Sequence, residues 1–179
     1  MSTLLVTHPC FVNHLTGPGH PERPDRMRAI DKVLSHDLFK DLVRVEAPLR
    51  DDVEERITLA HPKAYLDMIK ATAPAEGEAE VHLDPDTVMS PGSWEAALRA
   101  VGAGLLAVDK VMSGEVSNAF CQIRPCGHHA EARRAMGFCF FANPAITGMY
   151  ARAKHGAERI PAVDFEVASR AINPREFND

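Results

Sequence analysis

The run RPCGHHAEARRAMGFCFFAN, residues 124–143, sets two adjacent imidazoles, His128 and His129, behind a Pro-Cys-Gly turn and ahead of a charged segment. Proline and glycine shape the backbone before any packing is considered, so the pair is expected on a defined loop. An imidazole with its usual pKa near ~6.5 can take a proton from water while its neighbour carries charge, which is the common chemical use of such a pair. Taken alone, two histidines are more often a surface or satisfied loop pair than a catalytic one; their context decides. The apolar residues 119–123 read as a buried strand leading into the loop, and the segment from Gly137 to Phe141 leaves it with aromatic side chains. The histidines therefore fall just past the C-terminal end of a strand, where open α/β sheets bind ligands. Gly137 offers a backbone with no Cβ in the way, and Phe138 an aromatic wall for a narrow channel.

Working outward, Leu4, Leu5 and Val6 form a short apolar run that reads as a strand, and a loop rich in glycine and proline follows with His8, His14 and His20. For these three histidines, exposed polar loop residues are as good a reading as a role at a site. Met27, Ile30, Val33 and Leu34 recur at helical spacing over 23–34, and 43–45 alternates as a strand. A helix starts at Asp51 and Asp52, and a second runs over 62–69 with His61 as a loop or cap residue before it. Residues 71–80 are small and acidic and read as a surface loop. Asp84 and Asp86 flank a proline, the pattern of a turn in which aspartate side chains bond local backbone. The longest helix is expected over 93–112, with Trp94 in its apolar stripe, and another over 143–154 stopped by Gly156. A further strand is expected over 160–163. Strands alternating with helices predict an α/β fold with a mostly parallel sheet covered on both faces.

The chain has 179 residues, 45% hydrophobic and 25% charged, which suits one domain. A formal net charge of -5 leaves no electrostatic footprint for nucleic acid. No segment reaches the ~18 consecutive apolar residues of a membrane span, and the N-terminal residues lack the pattern of a signal peptide, so a cytoplasmic location is expected. Cys10, Cys121, Cys126 and Cys139 show no CxxC spacing, hence neither a thiolate zinc knuckle nor a disulfide framework is expected. A cysteine hydrolase built on Cys126 and His128 lacks an identifiable third group to orient the base.

RPCGHHA followed by MGFCFF resembles the signature of the zinc-dependent histone deacetylase superfamily, in particular its bacterial acetoin-utilisation deacetylases and acetylpolyamine amidohydrolases. HLTGPGHPERPDRMRAI at 14–30, HPKAYLDMI at 61–69 and LDPDTVMSPGSWEAALRAVGAG at 83–104 resemble further segments of that family in the same order. The resemblance implies a three-layer αβα fold of the arginase/deacetylase kind over 1–167. It implies removal of an acetyl group from an N-acetylated lysine or polyamine by zinc-activated water, a hydrolysis of a linear amide C–N bond. It makes His129 the base and His128, paired with Asp164, the charge-holding partner. It also places Gly137 and Phe138 along the acyl channel, Asp86 at the rim as an acceptor from the substrate backbone, and the glycine- and proline-rich loop at the entrance. Cys126 stands where the family usually has proline.

The same resemblance exposes two departures. Asp164 matches an aspartate that also helps hold a monovalent cation, potassium. Glu166, however, stands where the first zinc ligand, an aspartate, is expected, and Ala168 where a ligand histidine is expected. Glutamate ligates zinc with its oxygen displaced by one methylene, and alanine has no ligand atom. The later carboxylate and oxyanion-stabilising group of the family have no counterpart up to Asp179. The expectation is a chain without a tight catalytic zinc and without turnover, an alternative being a non-enzymatic truncated remnant or pseudoenzyme. His-His-Gly codons read one base early behind a G can spell Ala-Ser-Arg, so 168–179 reads as a frameshifted or spliced tail. A parallel sheet lacking its later strands would expose edges, and self-association is expected.

Overall fold

The computed structural model describes residues 2–160. Three parallel strands form the sheet: β1 (Thr3–Thr7), β2 (Val43–Glu46) and β5 (Asn118–Cys121), in the order β2-β1-β5. Leu4 pairs with Val43 on one side and Ala119 on the other. Successive strand side chains point to opposite faces, yet Leu4, Leu5 and Val6 are all buried, so β1 is covered on both faces. The apolar run in the sequence has this cause: a strand at the centre of a two-sided core has no polar face to show.

The helices are α1 (Asp25–Leu34), α2 (Val53–Ile57), α3 (Lys63–Thr72), α4 (Ser93–Met112) and α5 (Asn143–His155). Their buried residues recur at helical spacing, although Val33 of α1 and Met112 of α4, expected in the apolar stripes, are exposed. α4 is the spine. Its Ala96, Ala100 and Ala103 join Leu4, Val6, Phe11 and Met27 in one buried cluster. Its Ala97, Val101 and Leu105 join Ile57, Leu66, Phe140 and Phe141 in another, with Trp94 packed partly buried against it. α5 approaches α4 closely at Gly104, where a Cβ would sit 2.3 Å from Thr147 Oγ1. At its far end Asp109 of α4 accepts from the Tyr150 hydroxyl at 3.0 Å, Lys154 Nζ at 2.9 Å and Arg50 Nη1 at 3.0 Å. Burial works to raise the Asp109 carboxyl, but these bonds together hold it well below the usual carboxylate range. α5 stops at Gly156 with φ 65, as the sequence predicts.

One sequence reading changes. The LDPDTVM stretch is a turn, with Asp86 N–H donating to Asp84 Oδ1 at 3.0 Å, but the turn joins an antiparallel hairpin of β3 (Val81–Asp84) and β4 (Thr87–Met89). Its strands are too short to show a period-2 pattern. The strand expected over 160–163 falls, apart from Ile160, outside the described residues. Among the described residues no helix is long and apolar enough to cross a membrane.

Candidate functional site

The loop after β5 is anchored at both ends before it reaches the histidines. At its start, Arg124 is fully buried and grips Glu22 with both arms, Nε to Oε1 at 2.6 Å and Nη2 to Oε2 at 2.7 Å, while Nη1 donates to Phe11 O at 2.8 Å. Arg26 adds a further bond to Glu22 Oε1 at 3.1 Å. A buried guanidinium is tolerated only with such partners. Burial works to raise the Glu22 carboxyl, but the bond and charge of Arg124, with His14 and Arg26 behind, hold it below its ordinary value. His14 is the third member. Its Nδ1 pairs with Ser93 Oγ at 2.7 Å, and its Nε2 faces Glu22 Oε2 at 3.5 Å without a hydrogen bond. Burial pushes the His14 imidazole down to about 4.

The far end of the loop is pinned by His61, also buried. The Ala142 N–H donates to His61 Nε2 at 2.9 Å, so the ring's other nitrogen carries the proton and donates to Ala132 O at 3.0 Å. Burial lowers the His61 pKa and keeps this neutral form. The Tyr65 hydroxyl donates to Phe140 O at 2.6 Å.

Between these anchors the rings of His128 and His129 lie 4.1 Å apart, tilted by 58°. His128 is half-buried and His129 exposed. Gly137 lies against His129: a Cβ on it would be 2.7 Å from His129 Cβ and Cδ2, and its φ is +56. Phe138 follows with φ 69, a left-handed backbone that a bulky residue rarely adopts. It is held there from outside the loop. Phe138 N–H donates to Thr87 Oγ1 at 3.1 Å, and the His20 ring meets the Phe138 ring edge-on at 4.9 Å. His20 Nδ1 accepts from Glu22 N–H at 3.1 Å, so Nε2 is the protonated nitrogen and donates to Asp86 O at 3.1 Å. The hairpin, the glycine- and proline-rich loop and the histidine loop therefore meet at one edge.

His128, His129, Gly137 and Phe138 are thus brought together, and Asp86 stands exposed at the rim, tied in through its carbonyl and its neighbour Thr87. Asp164, Glu166 and Ala168 lie outside the described residues. The ligands that the resemblance implies for zinc are therefore not among the described residues, and Ala168 has no donor atom in any conformation. The donor set that does converge among the described residues is different: Cys126, His128 and Cys139 bring a ligand atom each within 4.8 Å of one another. Cys126 Sγ and Cys139 Sγ are 3.3 Å apart, although their spacing in sequence is that of no thiolate knuckle.

His14, Glu22, Arg124 and His61 are structural members of the site that the sequence reading left as loop, cap or unmarked residues. Arg124 carried a signal: a charge that follows an apolar strand-like run needs a partner if it is buried, although β5 itself is only partly covered. His14 and His61 carried none, since their burial comes from contacts with Ser93 and Ala142, distant in the chain.

The chain is 39% identical over 150 residues to a histone deacetylase-like amidohydrolase of Pseudomonas aeruginosa, covering 83% of this chain and 38% of that protein. It is 36% identical over 150 residues to the human polyamine deacetylase HDAC10, covering 82% of this chain and 22% of that protein. The chain thus spans well under half the length of these relatives. The crystal structure of the HDA15 HD domain superposes with a TM-score of 0.75 at 29% identity, over 86% of this chain and 44% of that one. With the family model of the histone deacetylase domain matching residues 20–168, the chain belongs to the histone deacetylase domain family.

Proposed function

We propose that this chain carries the proton-transfer loop and acyl channel of an amidohydrolase acting on an N-acetylated lysine or polyamine, and that the chain as given does not complete the reaction. One observation supports the first half most: His128 and His129 sit together against Gly137, beside a Phe138 held at φ 69 by the hairpin and the entrance loop. A strained aromatic beside a proton-accepting pair is the mark of a site built to hold something narrow. The relatives support the substrate class, since one is named an amidohydrolase and another a polyamine deacetylase.

In this reading the acetylated amine enters between Phe138 and the Gly137 backbone, and Asp86 accepts from the substrate backbone at the rim. Water attacks the acetamide carbonyl carbon as His129 takes its proton. The C–N bond breaks, and that proton passes to the leaving amine while His128, paired with Asp164, holds positive charge. A monovalent cation, potassium, at Asp164 belongs to the same reading. The zinc that the family implies would polarise the carbonyl. Glu166 offers a displaced oxygen and Ala168 none, so the residues present do not fit a tight catalytic zinc.

Ala168 favours a second reading for the chain itself, a pseudoenzyme or remnant that keeps the loop and channel without turnover. Residues 168–179 are then a tail set apart from the domain over 1–167, which the nucleotide sequence tests directly. An assay of acetate release from an N-acetyl-lysine peptide and from N-acetylputrescine, with zinc supplied, should show none. Zinc-dependent release that disappears in His129→Ala would overturn the pseudoenzyme reading. Binding of the same peptide, followed by titration calorimetry, should weaken at least tenfold in Phe138→Ala; unchanged binding would remove the channel from the account.

A further inference from the structure

We propose that Cys126, His128 and Cys139 form a second metal site, for a thiophilic divalent cation of the zinc and cadmium class, distinct from the carboxylate–imidazole set that the family implies. The three ligand atoms already lie within 4.8 Å of one another, and the two sulfurs are 3.3 Å apart. Tetrahedral zinc with Zn–S bonds of about 2.3 Å holds two sulfurs about 3.8 Å apart, so occupation asks only a small separation of the thiols. Two sulfurs and one imidazole select zinc, cadmium and their neighbours over magnesium or calcium.

The surroundings argue for a cation rather than a bare thiolate pair. Gly137 O faces both sulfurs, at 3.2 Å from Cys139 and 3.8 Å from Cys126, and accepts from their S–H groups. That carbonyl opposes two negative sulfurs side by side, and a cation between them reverses the sign of the interaction. The His129 N–H donates to Cys139 Sγ at 3.4 Å, which suits a metal-bound thiolate as well. The loop itself is fixed by the Arg124 grip at one end and His61 at the other, so the three donors are presented on a rigid frame. Binding replaces two S–H protons, released to solvent, with two metal–sulfur bonds and one metal–nitrogen bond. It leaves one position for water or for Gly137 O. Where the proposed amide chemistry operates, occupation withdraws His128 from it.

The remaining thiols are poor competitors. Burial pushes Cys10 up to about 11 and Cys121 up to about 12.

Cadmium titration of the full chain under a non-thiol reductant tests the site without reference to turnover. The expected result is a thiolate-to-cadmium charge-transfer absorption that saturates at one equivalent. Cys126→Ser and Cys139→Ser should each reduce its amplitude by half or more, and His128→Gln should weaken binding at least tenfold. Because Cys139 is buried and a substitution there disturbs the core, a second measurement uses the unaltered chain: cadmium should slow alkylation of Cys126 by iodoacetamide at least tenfold, mapped by mass spectrometry. No charge-transfer band at one equivalent, a band of undiminished amplitude in Cys126→Ser, or alkylation of Cys126 at an unchanged rate would each overturn the proposal.

Discussion

Arg124 and Cys126 stand two residues apart on one loop, in opposite kinds of surroundings. The Arg124 guanidinium is held by the two Glu22 carboxylate oxygens and Phe11 O, a charge buried against an opposite charge. Around Cys126 the neighbours are themselves reactive donors, Cys139 and His128, gathered on each other. The difference teaches how one turn serves stability and chemistry at once. The closed end fixes where the loop leaves β5, and that rigidity lets groups of like character be held together a few residues later.

The sharpest way to break this comparison is to open the closed end. Arg124→Ala leaves the buried Glu22 carboxylate with only the half-exposed Arg26 as a cationic partner, and urea denaturation should show a loss of about 3 kcal/mol. A variant as stable as the parent would mean that the grip is not what holds the loop. A gentler route is pH. The His14 pKa is lowered to about 4 from its usual 6.5, so protons bind the unfolded chain first. Its contribution is complete above the unfolded value and is lost as pH falls from ~6.5 through ~4, at up to about 1.4 kcal/mol per pH unit. The Glu22 carboxyl, held low, loses stability in the same direction as it protonates. Stability followed across this window should fall faster in the parent than in His14→Gln; equal slopes would remove His14 from the closed cluster.

At the other end the effects are smaller and local. Gly137→Ala places a Cβ 2.7 Å from His129 in a left-handed backbone and should cost about 1–2 kcal/mol while shifting the His129 resonances. An unshifted His129 would show that the ring does not rest on Gly137. Phe138→Gly relieves the φ 69 backbone but gives up the edge contact with His20 and adds chain entropy, so stability should change by no more than about 1 kcal/mol. A larger loss would mean that the ring supports the fold as well as the rim.

The sheet and helices were readable because their signal is periodic and local: Leu4 to Val6 is continuous because β1 is covered twice, and α4 buries its stripe from Ala97 to Leu105, while Met112 at its end is exposed. Gly156 marked the end of α5 for the same reason, a single residue whose backbone the stop requires. The β3–β4 hairpin was not readable, since Thr87 to Met89 is buried without alternation. In the site, His128, His129, Gly137 and Phe138 announced themselves by adjacency. His14 and His61 did not, because their roles depend on partners 79 and 81 residues away. Cys139 was hidden similarly: only the fold of the loop brings it beside Cys126.

X-ray absorption at the zinc edge of the zinc-loaded chain tests most directly which donors this loop offers. The account predicts two sulfur scatterers at about 2.3 Å with nitrogen in the same shell. A shell of nitrogen and oxygen alone would contradict it.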